Sequence, residues 1–181
     1  MSLHKDLDLK EAVLKLSQKE KDKLLVRLVG KDKMLMKQLH YQLLEGEENL
    51  NERIEILKST LCDLFRNMQK ENKTSRSYNF EKNLTANIRR ANGLVNEHEK
   101  ITKDKFSDVE CRLLVLNEVF ELYPNLFSPT SYYSSPKLLT YIQTRVRSVV
   151  TKYEKLHEDF QFDLRSQFQN MIDFAIEHNL D

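Results

Sequence analysis

The chain has 181 residues, of which 40% are hydrophobic and 31% charged, and its net charge at pH 7 is +1. A chain of this length can bury a sizeable core without disulfides or metal ions, and so small a net charge gives no global attraction to nucleic acid. Only three glycines and three prolines occur, although β-sheets need such residues at frequent turns. The composition therefore predicts an all-α fold, a bundle of long antiparallel helices with a cluster of short helices at the N-terminus.

Membrane insertion and secretion are not expected from the sequence. No apolar run approaches the roughly 20 residues that a membrane-spanning helix needs, and the opening MSLHKDLDLK is charged where a signal peptide is apolar. Cys62 and Cys111 are far apart and form no CxxC motif, which is typical of reduced thiols. We therefore expect a cytoplasmic protein that does not contact a membrane.

Residues 1–45 predict a subdomain of three short helices, which we expect to form one compact unit with the rest of the chain. The first covers Leu9 to Leu16, and the capping box Ser17-Gln18-Lys19-Glu20 begins the second. Gly30 is expected to end the second helix in the left-handed conformation, and a third helix is expected to begin near Lys31. That third helix is predicted to bury Leu35, Leu39 and Leu43.

Residues 46–181 predict a bundle of longer helices with regular apolar stripes. A polar linker is expected from Glu71 to Ser77, and a second capping box, Ser107 to Glu110, is expected to begin a helix. The last helix is predicted to run from Pro136 to about His178, which gives a length of about 60 Å at about 1.5 Å per residue. A local unwinding or bend is expected where Leu164 and Phe168 follow at steps of four residues. The stripe of the first long helix is Leu50, Ile54, Leu57, Leu61, Leu64 and Met68. The stripe of the second long helix is Phe80, Leu84, Ile88, Ala91, Val95 and His98.

Five lysines of the N-terminal subdomain are candidate contacts to nucleic acid or to a protein partner. Acidic residues such as Glu20, Asp22 and Asp32 are interleaved with them, and no aromatic residue is present there to stack on bases. A solvated helix face explains the same pattern and is the favoured interpretation. The five are Lys21, Lys23, Lys31, Lys33 and Lys37.

A polar stripe on the second long helix is another candidate contact surface. Asn79, Asn83 and Asn87 are spaced by four residues, and Arg89 and Arg90 follow. Asn and Arg side chains can form paired hydrogen bonds to base edges or phosphates. The spacing predicts that this stripe lies opposite the core face, where it would be either a binding surface or a plain polar surface.

The sequence contains no recognisable catalytic motif. GxSxG, the Walker A motif and GxGxxG are absent, and no two histidines lie within one helical turn. Pairs of carboxylates at ExxE spacing could bind Mg²⁺, but such pairs are also common on charged helices. They are Glu45/Glu48, Glu52/Glu55 and Glu118/Glu121.

Two segments of the sequence resemble a family of small bacterial all-helical proteins. They are LKEAVLKLSQKEKDKLLVRLVGKDKMLMKQLHYQLLE and RLLVLNEVFELYPNLF…KLLTYIQTRVRSVVTKYEKLHEDF. The resemblance implies a helical fold and no established activity, although some members are named deoxyuridine triphosphate nucleotidohydrolase. The trimeric enzymes of that name are β-rich, and the all-helical dimeric ones bind Mg²⁺ through ExxE followed by ExxD. This chain has no ExxD, so the resemblance assigns no catalytic residue.

The leading expectation is a non-enzymatic helical protein-interaction or scaffold protein that binds a protein partner or a second copy of itself. No catalytic residue, cofactor or metal site is predicted. Two alternatives stay open. One is a nucleic-acid-associated protein that uses the basic helix faces, and the other is a Mg²⁺-dependent nucleotide hydrolase of the dUTP type.

Overall fold

A computed structural model describes residues 6–72, 80–127 and 136–180, and within these ranges the chain forms eight α-helices and no β-strand. The predicted all-α fold is confirmed. The chain divides into two compact units, residues 1–46 and residues 47–181.

The N-terminal unit contains α1 (Leu7–Lys15), α2 (Gln18–Val29) and α3 (Lys33–His40), followed by a π-helical turn over Tyr41–Glu45. Each helix begins at a side chain that accepts hydrogen bonds from the exposed backbone N–H groups of the first turn. The carboxylates of Asp6 and Asp32 begin α1 and α3.

The predicted capping box at the start of α2 is confirmed. The Ser17 hydroxyl accepts a hydrogen bond from the backbone of Glu20, and the Glu20 carboxylate accepts one from the Ser17 backbone at 2.9 Å. Because both partners lie within four residues, this start could be predicted from the sequence alone.

The predicted left-handed Gly30 is wrong, because its φ is −64° and its conformation is right-handed helical. The backbone N–H groups of Lys31 and Asp32 donate to the carbonyls of Leu28 and Val29, which continues the helical turn past the glycine. α3 consequently begins at Lys33.

The leucines predicted to be buried by the third helix are not buried. Leu43 is 74% exposed, Leu35 is exposed, and Leu39 is half-buried. None of the residues in α1, α2 or α3 is buried. Helices of 8 to 12 residues present too little surface to enclose one another's apolar side chains.

The described part of the second unit contains five longer helices, and the third of them, α6, contacts the other four. One single-turn 3₁₀ helix, Glu47–Asn49, precedes α4, and another, Pro124–Phe127, follows α6. The five helices are α4 (Leu50–Asn72), α5 (Phe80–Thr102), α6 (Lys105–Leu122), α7 (Pro136–Tyr153) and α8 (Glu158–Glu177).

Most of the apolar positions predicted for α4 and α5 are buried in the core, with one change of register. Phe65 has an exposed fraction of 0%, whereas the predicted Leu64 is only partly buried. A straight α-helix drifts by about 20° per heptad from a 3.5-residue repeat. The buried position on α4 has therefore moved from residue 64 to residue 65. The predicted linker contributes its first two residues to α4, and residues 73–77 lie outside the described ranges.

α6 begins earlier than predicted and is buried on most of its faces. Its N-cap is Asp104, which accepts hydrogen bonds from the backbone of Phe106 and Ser107. The predicted capping box of Ser107 and Glu110 is therefore wrong, because both residues lie inside the helix. Ser107 is fully buried, and the Glu110 carboxylate accepts from Lys58 at 2.8 Å.

The predicted single final helix is also wrong, because the chain does not merely bend but turns back between α7 and α8. The His157 side chain accepts from the backbone of Asp159 and begins α8. Gln143 donates to the carbonyl of Asn179 at 2.9 Å, and Tyr153 stacks on Phe168, so the two helices are antiparallel. The turn brings Leu164, Met171 and Ala175 into the core.

We predict that Phe65→Ala destabilises the protein more than Leu64→Ala does. Replacing a fully buried Phe by Ala leaves a cavity and lowers the free energy of unfolding by about 3–5 kcal/mol. Replacing a fully buried Leu lowers it by about 2–5 kcal/mol, and a partly buried Leu such as Leu64 lowers it by less. Urea unfolding followed by circular dichroism measures both values. A larger loss of stability in the Leu64 variant would contradict the observed register of α4.

Candidate functional site

A buried ion pair lies at the centre of the second unit. Asp108 and Arg112 are one helical turn apart on α6, and their exposed fractions are 1% and 6%. Two guanidinium nitrogens of Arg112 approach the same carboxylate oxygen of Asp108, at 2.8 Å and 3.0 Å. Because a buried charge without a partner costs several kcal/mol, the two residues depend on each other.

Two asparagines of α5 complete the surroundings of Arg112. Its Nη1 donates to the side-chain oxygen of Asn92 at 3.1 Å, and its Nη2 donates to that of Asn96 at 2.6 Å. Asn92 also donates its amide N–H to the carbonyl of Ile88 at 2.9 Å, which orients the amide. All three guanidinium nitrogens therefore bond to side chains of α5 or α6.

Two lysines and a glutamate extend the network to the surface. Lys152 of α7 donates to the second oxygen of Asp108 at 2.7 Å and lies 3.5 Å from Glu99 of α5. Lys105 donates to the other oxygen of Glu99. The hydrogen bond from Lys105 lowers the pKa of Glu99, although burial acts in the opposite direction. The network thus joins α5, α6 and α7.

A cleft of about 550 Å³ opens beside this network, between α6 and the end of α7. Small-molecule sites in proteins have volumes of about 300–1,000 Å³. Charged, hydroxyl and apolar side chains all contribute to its wall. The lining residues are Lys105, Asp108, Val109, Ser148, Thr151, Lys152, Lys155 and Leu156.

His98 and Ser107 form a second buried polar contact. The His98 Nε2 and the Ser107 hydroxyl are 2.9 Å apart and share a hydrogen bond. Burial lowers the pKa of His98, and the nearby positive charge of Arg53 lowers it further. Among the described residues, no carboxylate hydrogen-bonds to the other ring nitrogen, as the base of a catalytic triad would require.

The five predicted lysines lie on the N-terminal unit and remain candidates. Lys21 and Lys23 lie on α2, Lys31 lies in the turn after it, and Lys33 and Lys37 lie on α3. Four are exposed and Lys21 is half-buried. Their role in binding stays a prediction.

The asparagine stripe of α5 does not lie opposite the core face, so that prediction is wrong. Asn83 and Asn87 are both half-buried, and Asn87 donates to the carbonyl of Leu64 on α4 at 3.4 Å. Both residues flank the buried side of the helix, since positions 84 and 88 are in the core. Asn79 lies outside the described residues.

The two predicted arginines of α5 are exposed, and one of them contacts α7. The guanidinium of Arg89 lies 5.5 Å from the ring centre of Tyr141, and that of Arg145 lies 5.3 Å from the same ring. The Nε of Arg145 is buried and has no hydrogen-bond partner among the described residues. Arg90, the next residue along the chain, is exposed to solvent. Arg89 and Arg145 thus form a pair of cations around one aromatic ring.

The ExxE pairs do not gather further ligands in the described part of the chain. The carboxylate of Glu118 accepts from the Cys62 thiol, and that of Glu55 accepts from Lys58. Glu52 and Glu121 are exposed, while Glu45 and Glu48 belong to different units. Residues 6–72, 80–127 and 136–180 contain no group of three or more His, Cys, Asp or Glu side chains that could hold a metal ion.

The N-terminal unit exposes an unusual number of large apolar side chains. Among the described residues, ten lie in its three helices and the turn that follows, whereas the second unit exposes four. Leu25 and Leu28 share one face of α2, since they are three residues apart. The ten residues, called here the N-terminal apolar surface, are Leu7, Leu9, Leu14, Leu25, Val26, Leu28, Leu35, Met36, Leu43 and Leu44.

Comparisons with protein families, curated proteins and solved structures gave no match for this chain. The resemblance to a bacterial helical family therefore stays a prediction. None of the described helices is both long and apolar enough to cross a membrane.

The sequence alone does not reveal the network around Arg112. Asp108 falls inside the predicted capping box, and Arg112 is close in sequence to the glutamates Glu118 and Glu121, which favours a polar surface. The available signal is the i, i+4 spacing of Asp108 and Arg112, which favours an ion pair on any helix. The spacing does not indicate burial, because that depends on the neighbouring helices.

We predict that Asp108→Asn destabilises the protein by about 3–5 kcal/mol, because it removes the closer of the two carboxylates that Arg112 and Lys152 contact. The matched control is Asp163→Asn, an exposed carboxylate on α8, which we expect to change stability by less than about 0.5 kcal/mol. Urea unfolding at neutral pH gives both values. Equal effects of the two substitutions would show that the Asp108 ion pair does not stabilise the bundle.

Proposed function

We propose that this protein is a non-enzymatic, self-associating helical protein whose N-terminal unit pairs with the same unit of a second copy. The N-terminal apolar surface is the observation that carries the proposal. It exposes ten large apolar side chains on a unit whose three helices bury none. Exposed apolar residues in such number commonly mark a protein–protein interface.

The length of the helices supports the same conclusion. α1, α2 and α3 contain 9, 12 and 8 residues, and isolated helices shorter than about 12–15 residues are marginal in water. Tertiary contacts of an apolar face normally supply the missing stability. Pairing with another molecule provides such contacts for the N-terminal apolar surface.

The charge pattern favours a second copy as the partner. Lys21-Asp22-Lys23 and Lys31-Asp32-Lys33 each place an anion between two cations, and residues 1–45 carry ten basic and seven acidic side chains in all. A two-fold symmetric interface brings the same patch of both chains together. A patch that contains both signs can then place the cations of one copy beside the anions of the other.

The cysteines support a reducing, cytoplasmic location. Cys62 and Cys111 are both free. Burial raises the pKa of the Cys111 thiol to about 12, so this thiol is protonated and unreactive at neutral pH. Such cysteines act as small apolar side chains.

The proposal predicts that Leu25→Glu combined with Leu28→Glu converts a dimer to a monomer. Full burial of each leucine contributes about 1.5–3 kcal/mol, so removing two should raise the dissociation constant at least about 100-fold. Sedimentation velocity over a range of protein concentrations measures this. The unmodified chain should approach twice its mass of 21.6 kDa as concentration rises.

Phe162→Glu is the matched control, because Phe162 is also strongly exposed but lies in the second unit. We expect it to leave the dissociation constant unchanged, and circular dichroism verifies that all variants stay helical. A strictly monomeric unmodified chain would overturn the proposal. So would a monomer produced by Phe162→Glu alone.

A second candidate function is nucleic-acid binding through the arginines near Tyr141. Neither Arg89 nor Arg145 forms an ion pair with any described residue, and Arg89 is exposed, so its guanidinium group can contact phosphate. Arg90 is exposed next to Arg89 and could add a second contact. The counterions released from each phosphate contact make such binding strongly salt-dependent.

This candidate predicts that Arg89→Ala combined with Arg90→Ala weakens binding to short DNA and RNA duplexes at low salt. Log affinity falls with log salt concentration, and the magnitude of that slope should decrease by about two. This is close to one for each phosphate that is no longer neutralised. Fluorescence anisotropy measures both quantities, and Lys137→Ala, an exposed cation on α7, is the control. Absence of binding by the unmodified chain at low salt would exclude this function.

A further inference from the structure

The cleft between α6 and the end of α7 has an excess of positive charge. Lys105, Lys152 and Lys155 line it, and Asp108 is the only acidic residue in its wall among those described. Behind the wall, Glu99 and Arg112 contribute one further charge of each sign. Four cations and two anions leave the cluster with a net charge of +2, which an anionic ligand would balance.

Two side chains of the cleft form no hydrogen bond or ion pair with any described residue. Lys155 forms no ion pair with any described residue, and the hydroxyl of Ser148 forms no hydrogen bond to any. Thr151 differs, because its hydroxyl donates to the carbonyl of Arg147 at 2.9 Å and leaves only its oxygen available. Lys155 and Ser148 can therefore donate to a ligand without breaking an existing contact.

The other two lysines are held in place by the network. Lys152 contacts the carboxylates of Asp108 and Glu99, and Lys105 contacts Glu99. An ammonium group has three donors, so Lys152 has one more N–H to offer. Because the network positions these ammonium groups before binding, little side-chain entropy is lost when an anion arrives.

From these contacts we infer that the cleft binds a small phosphorylated molecule. Its phosphate contacts Lys105, Lys152 and Lys155, and its organic part lies against Val109 and Leu156. A phosphate carries a charge of about −1.5 to −2 at neutral pH and has three acceptor oxygens, which match the charge of the cluster and its ammonium donors. A volume of about 550 Å³ is more than a bare phosphate needs and leaves space for an organic group.

Isothermal titration calorimetry with inorganic phosphate and with phenyl phosphate tests the inference. We expect saturable binding of both at low salt. Phenyl phosphate should bind at least about fivefold more tightly, because its ring fills space in the cleft beside Val109 and Leu156 that inorganic phosphate leaves to water. Equal affinities would contradict the contact with Val109 and Leu156 and would define a site for free phosphate only.

Substitutions at the two uncommitted residues locate the site. Lys155→Gln should weaken phenyl phosphate binding about tenfold, and Ser148→Ala should weaken it about threefold, since a charged hydrogen bond contributes more than a neutral one. Neither change breaks an observed ion pair, so the urea midpoint should stay the same. Lys137→Gln removes an exposed lysine from the other end of α7 and should leave the affinity unchanged.

Two results would overturn the inference. One is the absence of saturable binding of either probe at millimolar concentrations in low-salt buffer. The other is an equal loss of affinity in Lys137→Gln and Lys155→Gln, which would show that the anion is attracted to the surface in general. Neither result depends on self-association, because the cleft lies within the second unit.

Discussion

The structure of the second unit depends on the burial of two charged residues of α6, which must have polar partners. Four helices surround α6, and it carries Asp108 and Arg112 into an interior where an unpaired charge would be costly. The neighbouring helices must therefore supply polar groups at defined positions. α5 does so with Asn92, Asn96 and Glu99, which recur at helical spacing and face the guanidinium group. α7 supplies Lys152 to the other side of the carboxylate.

This polar network fixes the register of three helices more narrowly than apolar packing does. Apolar side chains of similar size can replace one another with modest loss of stability, whereas a hydrogen bond is broken by about an ångström of displacement. A slip of α5 by one turn would move Asn92 and Asn96 away from Arg112. The ion pair need not add net stability over an apolar pair of equal volume. We regard specification of the helix arrangement as its principal structural effect.

Much of the fold could be predicted from the sequence because it depends on local interactions. The capping box at Ser17 and the stripes of α4 and α5 involve residues within one or two turns of each other. The wrong predictions concern places where distant residues decide the outcome. α6 is buried on several faces and shows little amphipathic pattern, so nothing in its sequence separates its buried charges from surface charges. The chain reverses direction near Leu156 because α8 can then pack its apolar side chains into the core. The turn is not visible in the sequence, because apolar residues continue at helical spacing through it.

The two candidate binding surfaces differ in how much of each could be predicted from the sequence, for the same reason. The cleft depends on Lys155 and Ser148, which are unremarkable in sequence and become a site only when α7 lies against α6. The N-terminal apolar surface is visible in the sequence as leucines at helical spacing, but periodicity does not tell whether the unit buries them. The pattern of Leu25 and Leu28 on α2 resembles that of Leu57 and Leu61 on α4, yet only the second pair is buried by its own unit. Apolar residues at helical spacing predict a helix face suited to packing, and the fold of the unit decides whether that face is buried within the same chain.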